Sequence, residues 1–313
     1  MRTSVCARLR RGRRALGMSS TAAAASIGTL VPLSLFGGYC LGELAYVILR
    51  TPRLPEAPGP VKGRAQGAKE SSRRDPLRIL CLGDSVAAGC GLESNEGACA
   101  GIFARHAAKH FGLPVEWTVL ARNGYTAKRI EEKHVKRIEA PYPELIILSV
   151  GVNNLLAMHS ESQIETDLTS LLGAVRAKVG PTATIVVLGM PPMSMFVALT
   201  PLLRLLAGRK AKQFDRVMAR VCGGGHGHQD EAGSSRLVHC DYQDLAVDLA
   251  TKSGDQAGVF FAPDGFHPGP RALEMMANHL FEVRFQAEVV DLAKEDDADG
   301  GAGGRAVAFA KKK

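Results

Sequence analysis

The sequence predicts an α/β fold, a parallel β-sheet with helices on both faces. Two observations carry the prediction. Between Pro76 and Lys294 short β-rich runs alternate with longer segments of helical spacing, and repeated β-α-β units close as a parallel sheet covered on both sides. Three of the short runs are also almost continuously apolar, as strands buried on both faces must be.

Taken in order, the strands are Leu77–Leu82, Val115–Leu120, Leu145–Val150, Thr184–Leu188 and Arg236–Cys240. The clearest helices have their apolar stripes at Ile164, Leu168, Leu171, Leu172, Val175 and Val179, and at Leu273, Met276, Leu280 and Val283, spacings that place each set on one helical face. In such sheets ligands bind beyond the carboxyl ends of the strands. The residues to weigh for chemistry are therefore Gly83-Asp84-Ser85, Asn123-Gly124 and Gly151-Val152-Asn153-Asn154, together with Asp264-Gly265-Phe266-His267-Pro268-Gly269 before the last helix.

Composition narrows the class. Hydrophobic residues make up 46% and charged residues 22% of the 313, a globular balance that excludes collagen-like and wholly disordered chains. Seven scattered cysteines without CxxC spacing indicate neither a disulfide framework nor a zinc site, and Cys81, inside an apolar run, reads as a small hydrophobe. The net charge of +8 is local: residues 1–75 carry 13 Lys and Arg against 4 Asp and Glu, and the rest 26 against 27. A nucleic-acid face needs its cations in the folded body, so no nucleic-acid partner is expected.

The N-terminus divides into a basic stretch, residues 1–14 with six arginines, and a hydrophobic segment, residues 15–49, uncharged from Ala15 to Gly42. That uncharged length suffices to cross roughly 30 Å of hydrocarbon as a helix. It is read as a retained membrane anchor, with a cleaved mitochondrial or other organellar transit peptide as the alternative, since the start is Arg-rich and acid-free. Residues 50–75, rich in Pro and Gly, read as an extended linker. Residues 76–294 form the main domain, and 295–313 read as a disordered tail. His226 and His228 invite a metal reading, but they lie in a Gly-rich run without a rigid element to fix ligands, so a flexible insertion is preferred and no metal or cofactor is expected.

Hydrolysis by serine needs a base, a carboxylate to orient it and donors for the oxyanion. Ser85 follows a strand and a Gly-Asp turn that would expose its hydroxyl. Asp264 precedes His267 by three residues, close enough to accept from one ring nitrogen, and Pro268 keeps the pair in a loop. Asn153 offers a side-chain amide, and Gly124 and Ser85 offer backbone N–H groups. Each residue taken alone is also an ordinary turn or cap residue. The Gly-x-Ser-x-Gly signature of the other large α/β hydrolase class does not surround Ser85.

Together the four segments resemble the SGNH/GDSL hydrolase superfamily: Gly-Asp-Ser at 83–85, Asn123-Gly124, Gly-x-Asn at 151–153 and Asp-x-x-His at 264–267, in that order. The proline-rich stretch Pro52–Pro60 and Pro191-Pro192-Met193 resemble a subgroup with an N-terminal hydrophobic segment. The resemblance implies a flavodoxin-like three-layer α/β/α sandwich and metal-free hydrolysis of a small acyl or acetyl ester, such as a lipid or an acylated sugar. It implies Ser85 as nucleophile, His267 as base and then acid, Asp264 as its orienter, and an oxyanion hole of Ser85, Gly124 and Asn153. Asp84 supports the turn. A catalytically silent, membrane-anchored lipid- or glycan-binding domain is the alternative function. Two departures stand out: Val86 for the usual leucine, and Asn154 for the usual aspartate, where Asn154→Asp is expected to leave activity intact. The run from Met190 to Leu206 reads equally as an acyl-pocket wall, a membrane-resting surface or a core helix.

Overall fold

The computed structural model describes residues 37–67, 75–223, 237–242, 258–284, 287–288 and 310–311. The chain divides into two compact units, Met1–Tyr46 and Val47–Lys313. Residues 37–50 are helical, and Tyr39, Leu41, Leu44 and Tyr46 of that stretch are exposed. Among the described residues no helix is long and apolar enough to cross a membrane. The basic stretch 1–14, most of the hydrophobic segment and the insertion with His226 and His228 lie outside the described residues.

The second unit is built on a six-stranded sheet. In chain order the strands are β1 (Lys62–Ala65), β2 (Leu77–Gly83), β3 (Val115–Ala121), β4 (Leu145–Ser149), β5 (Thr184–Leu188) and β6 (Leu237–Cys240), arranged β1-β3-β2-β4-β5-β6. β2 to β6 pair in parallel. β1 pairs antiparallel with β3, Lys62 opposite Thr118 and Ala65 opposite Val115. The sheet is therefore parallel through its five main strands, as expected, and mixed at one edge, where part of the segment 50–75 expected as linker forms a strand. A four-residue strand, Lys-Gly-Arg-Ala, shows too little apolar alternation to stand out in a sequence. It exists because β3 has an unpaired edge to offer, and a sheet edge recruits any extended backbone that can reach it.

Six helices of this unit are α1 (Cys99–Phe111), α2 (Ala127–His134), α3 (Val152–Leu156), α4 (Glu161–Val179), α5 (Pro201–Gly223) and α6 (Pro270–Asn278). They lie in two layers because each central strand alternates its side chains. Leu77, Ile79 and Cys81 of β2, with Leu145, Ile147, Val186 and Leu188, enter one core with Phe103 of α1 and Leu273 of α6. Leu80, Leu82, Ile146, Leu148, Ile185 and Val187 enter the other, with Ile130 of α2, the α4 stripe and Phe214 of α5. The α4 stripe is the one the spacing predicts, all six residues buried. The helix starts at Ser160, whose hydroxyl accepts from the Gln163 N–H at 3.1 Å, satisfying one of the first-turn donors.

Cys81 is fully buried among these apolar side chains, and its thiol is held well above the usual range by its hydrogen bond with Cys99 and by burial. It packs as a small hydrophobe, as expected. Of the stretch 295–313, expected as a tail without regular structure, the described piece is Ala310–Lys311, which pairs antiparallel with Ala287–Glu288.

Candidate active site

The end of β2 sets the geometry of Ser85. Gly83 has φ of +149°, and a Cβ there would lie 2.2 Å from the carbonyl oxygen of Ser149 on β4, so only glycine lets β2 end this close to its neighbour. Asp84 then turns inward. Its N–H donates to the Ser149 carbonyl at 3.2 Å; its Oδ1 accepts from Ser149 Oγ at 2.6 Å and from the Val86 N–H at 3.1 Å. Burial pushes the Asp84 carboxyl up, and the bonds from Ser149 and Val86 and the nearby His267 only partly offset this. Asp84 thus supports the turn, as expected, and Ser149 is its partner. Ser85 follows, and its carbonyl accepts from the Cys90 N–H at 3.0 Å.

The second component is the loop before α6. Asp264 Oδ1 accepts from the N–H groups of Phe266 and His267, both at 2.9 Å, and Oδ2 lies 2.5 Å from His267 Nδ1. The Asp264 side chain is 1% exposed. Burial alone would raise its carboxyl, but the His267 ring, the two N–H groups and the positive charge of an imidazolium outweigh it, so the carboxyl sits below the usual range. Gly265, at φ +66°, supplies the left-handed residue that lets the loop turn back, and the Ala262 N–H closes it on the His267 carbonyl at 2.8 Å. With Nδ1 engaged by the carboxylate, Nε2 is the ring nitrogen on the other side.

Ser85 and His267 line one cavity of about 130 Å³. Its walls are otherwise mostly apolar: Val86, Leu188, Pro191, Pro192, Met195 and Phe196 among them. The Met190–Leu206 run therefore contributes a pocket wall at its start and α5 from Pro201 onward. The wall is braced from behind by a pair that no spacing in the sequence suggests. Asp215 of α5 accepts from the Met190 N–H at 2.7 Å and lies 3.0 Å from His239 Nε2 on β6.

Gly124 and Asn153 are placed together, but neither is among the residues lining that cavity. Gly124 is exposed with φ of +82° and open space where a Cβ would stand. Asn153 Nδ2 donates to the Tyr125 carbonyl at 3.0 Å, which ties α3 to the Gly124 turn. An amide nitrogen carries two hydrogens, and this bond uses one.

Asn154 turns away from the cavity and ties its loop to two other segments. It is fully buried; its Oδ1 accepts from the Ala127 N–H at 3.1 Å, and its Nδ2 lies 3.1 Å from His159 Nδ1 and 3.4 Å from Asp167 Oδ2. An aspartate here would face the Asp167 carboxylate. Two carboxylates would then share this buried site, so Asn154→Asp is expected to destabilise the fold at neutral pH. Among the described residues no group of three or more His, Cys, Asp or Glu side chains is arranged to hold a metal.

Similar solved structures include a member of the lipolytic protein G-D-S-L family from Veillonella parvula, at 13% identity and a TM-score of 0.50, covering 67% of this chain and 100% of that one. A family 3 carbohydrate esterase from Clostridium thermocellum is 17% identical, with coverages of 66% and 94% and a TM-score of 0.49. The lipase/acylhydrolase from Enterococcus faecalis is 14% identical, with coverages of 66% and 94% and a TM-score of 0.48. No match is found among curated protein sequences. The model of the GDSL-like lipase/acylhydrolase family matches residues 81–273, a span that runs from inside β2 to inside α6 and takes in Ser85, Asn153, Asp264 and His267. By that match the chain belongs to the GDSL-like lipase/acylhydrolase family and is a carboxylic ester hydrolase.

Proposed function

We propose that the hydrolysis proceeds through a covalent acyl-enzyme on Ser85. The observation that carries the proposal is the Asp264–His267 pair, with Nδ1 committed to the carboxylate, opening on the cavity that Ser85 also lines. His267 Nε2 takes the Ser85 hydroxyl proton as Oγ bonds to the ester carbonyl carbon. The carbonyl oxygen, now negative, accepts from the Ser85 and Gly124 N–H groups and the second hydrogen of the Asn153 amide. Nε2 returns the proton to the departing alcohol, leaving an acyl ester on Oγ. Water then repeats the sequence and releases the acid. Asp264 holds the tautomer and stabilises the imidazolium without taking the proton.

The cavity suits the acyl part of the ester. An apolar cavity of about 150 Å³ takes a guest the size of benzene, so about 130 Å³ suits a short acyl chain. The alcohol side, whether a lipid or an acylated sugar, then lies outside the cavity. A fluorophosphonate probe is expected to label the wild-type chain and to leave Ser85→Ala unlabelled. Folded wild-type protein without label would instead favour a silent lipid- or glycan-binding domain.

The same reading places the enzyme at a membrane through its N-terminal segment, supported by the absence of charge from Ala15 to Gly42 and by the near-neutral remainder of the chain. Full-length protein is expected to resist carbonate extraction from membranes. Release by carbonate, or cleavage before residue 50 in cells, would replace the anchor with the transit-peptide reading.

A further inference from the structure

The segment expected as a linker is tied to both turns that carry the backbone donors of the oxyanion hole. The Gly91 N–H donates to the Pro55 carbonyl at 2.9 Å and the Ala57 N–H to the Ala88 carbonyl at 3.0 Å, so residues 55–57 run along the turn that follows Ser85. Asn95 Nδ2 reaches the Pro60 carbonyl at 3.2 Å. Between these bonds Glu56 faces the other turn: its Oε1 accepts from the Asn123 N–H at 2.7 Å, and its Oε2 lies 3.3 Å from Arg122 Nη1. Residues 55–60 thus strap the Ser85 turn to the Gly124 turn.

The Gly124 turn needs such a tie. Arg122, Asn123 and Gly124 are all exposed, and nothing packs where a side chain at Gly124 would stand. Its conformation rests on hydrogen bonds: Arg122 N–H to the Gly83 carbonyl at 3.1 Å, Tyr125 N–H to the Arg122 carbonyl at 3.3 Å, the Asn153 amide on the Tyr125 carbonyl, and Glu56 on Asn123. The bond from the Asn123 N–H to Glu56 is short and charge-assisted. It fixes the residue directly before Gly124. A carboxylate near a developing oxyanion would by itself oppose it, and Arg122 on the other oxygen offsets that charge.

We propose that Glu56 is a positioning residue that pre-organises the Gly124 N–H for the oxyanion. The working catalytic unit then includes the strap, upstream of the family-matched span 81–273. This rests on the oxyanion hole proposed above. Donors aimed before the reaction lower the barrier because nothing need be reoriented as charge develops, so the loss falls on kcat.

The experiment is steady-state hydrolysis of p-nitrophenyl butyrate by the full chain, with thermal melts and fluorophosphonate labelling alongside. Glu56→Ala is expected to lower kcat by roughly 10- to 100-fold, a part of the loss that follows removal of a donor itself, with KM changed less than about threefold. Label still reaches Ser85, more slowly. Glu56→Gln keeps an oxygen that can accept from Asn123 and is expected to restore most of kcat. If Glu56→Ala does not fold, Glu56→Asp, which draws the acceptor back by one methylene, is expected to show the same kcat loss at unchanged KM. Wild-type kcat in the folded Glu56→Ala or Glu56→Asp protein overturns the proposal, as does a Gln variant no better than Ala. Wild-type protein that is neither labelled nor active overturns the acyl-enzyme reading instead.

Discussion

His267→Ala is expected to reduce kcat by about 10⁴- to 10⁶-fold, the range in which removal of a triad histidine falls. The physical reason is that the Ser85 hydroxyl is a poor nucleophile until its proton has somewhere to go, and His267, which lines the same cavity, is the proposed base. A small residue of turnover should remain in this variant, from the oxyanion donors and binding alone. Asp264→Asn is expected to cost about 10⁴-fold, because an amide can present its N–H to His267 Nδ1 and reverse the tautomer. Rates on p-nitrophenyl butyrate across pH check both. Full activity of either variant at neutral pH would remove the pair from the mechanism.

Asp264 also makes a prediction about stability. Its carboxyl is depressed in the folded chain by His267 and two backbone N–H groups, so the unfolded state binds the proton more readily. The stabilisation is fully present above the ordinary aspartate value of about 3.9 and disappears as pH falls through the lower folded value. The melting difference between wild type and Asp264→Asn should follow that course, shrinking at acid pH.

The second large effect separates the adjacent asparagines. Asn153→Ala is expected to lower kcat by roughly 10²–10³-fold with KM little changed, since a lost oxyanion donor acts on charge present only in the transition state. It also frees the Tyr125 carbonyl, so its thermal melt is measured alongside. Asn154→Asp should instead act on the fold. It replaces a buried donor with a carboxylate facing Asp167 at the 3.4 Å now spanned by a hydrogen bond, and a buried polar group left unpaired costs about 1–3 kcal/mol. Two carboxylates in one site raise the pKa of one of them, so the destabilisation should lessen as pH falls and a shared proton enters. A melt unchanged at neutral pH would show that His159, 3.4 Å from Asp167 Oδ2, already balances two charges.

Much of this was legible from residue order. Burial on both faces requires unbroken apolar runs, so β2, β4 and β5 could be read directly, and a helix with one buried face writes its period into the chain, as α4 does. The Asp264–His267 pair is local, three residues apart, and a local pair is visible without a fold. β1 was not legible, because four residues on a sheet edge bury too little to leave a pattern; what makes them a strand is the free edge of β3.

The sequence by itself determined the α/β class and the succession of β2 to β6 along the chain, since these depend on periodicity, and its resemblance to a family singled out Ser85, Asp264 and His267 as candidates. Only the tertiary structure decided that Asn154 answers to Asp167, that Asp215 and His239 brace the pocket wall, and that Glu56 holds the turn at Asn123. Those contacts join residues 13, 24 and 67 positions apart. A hydrogen bond between distant segments depends on where the sheet brings their backbones, and that information belongs to no stretch of sequence alone.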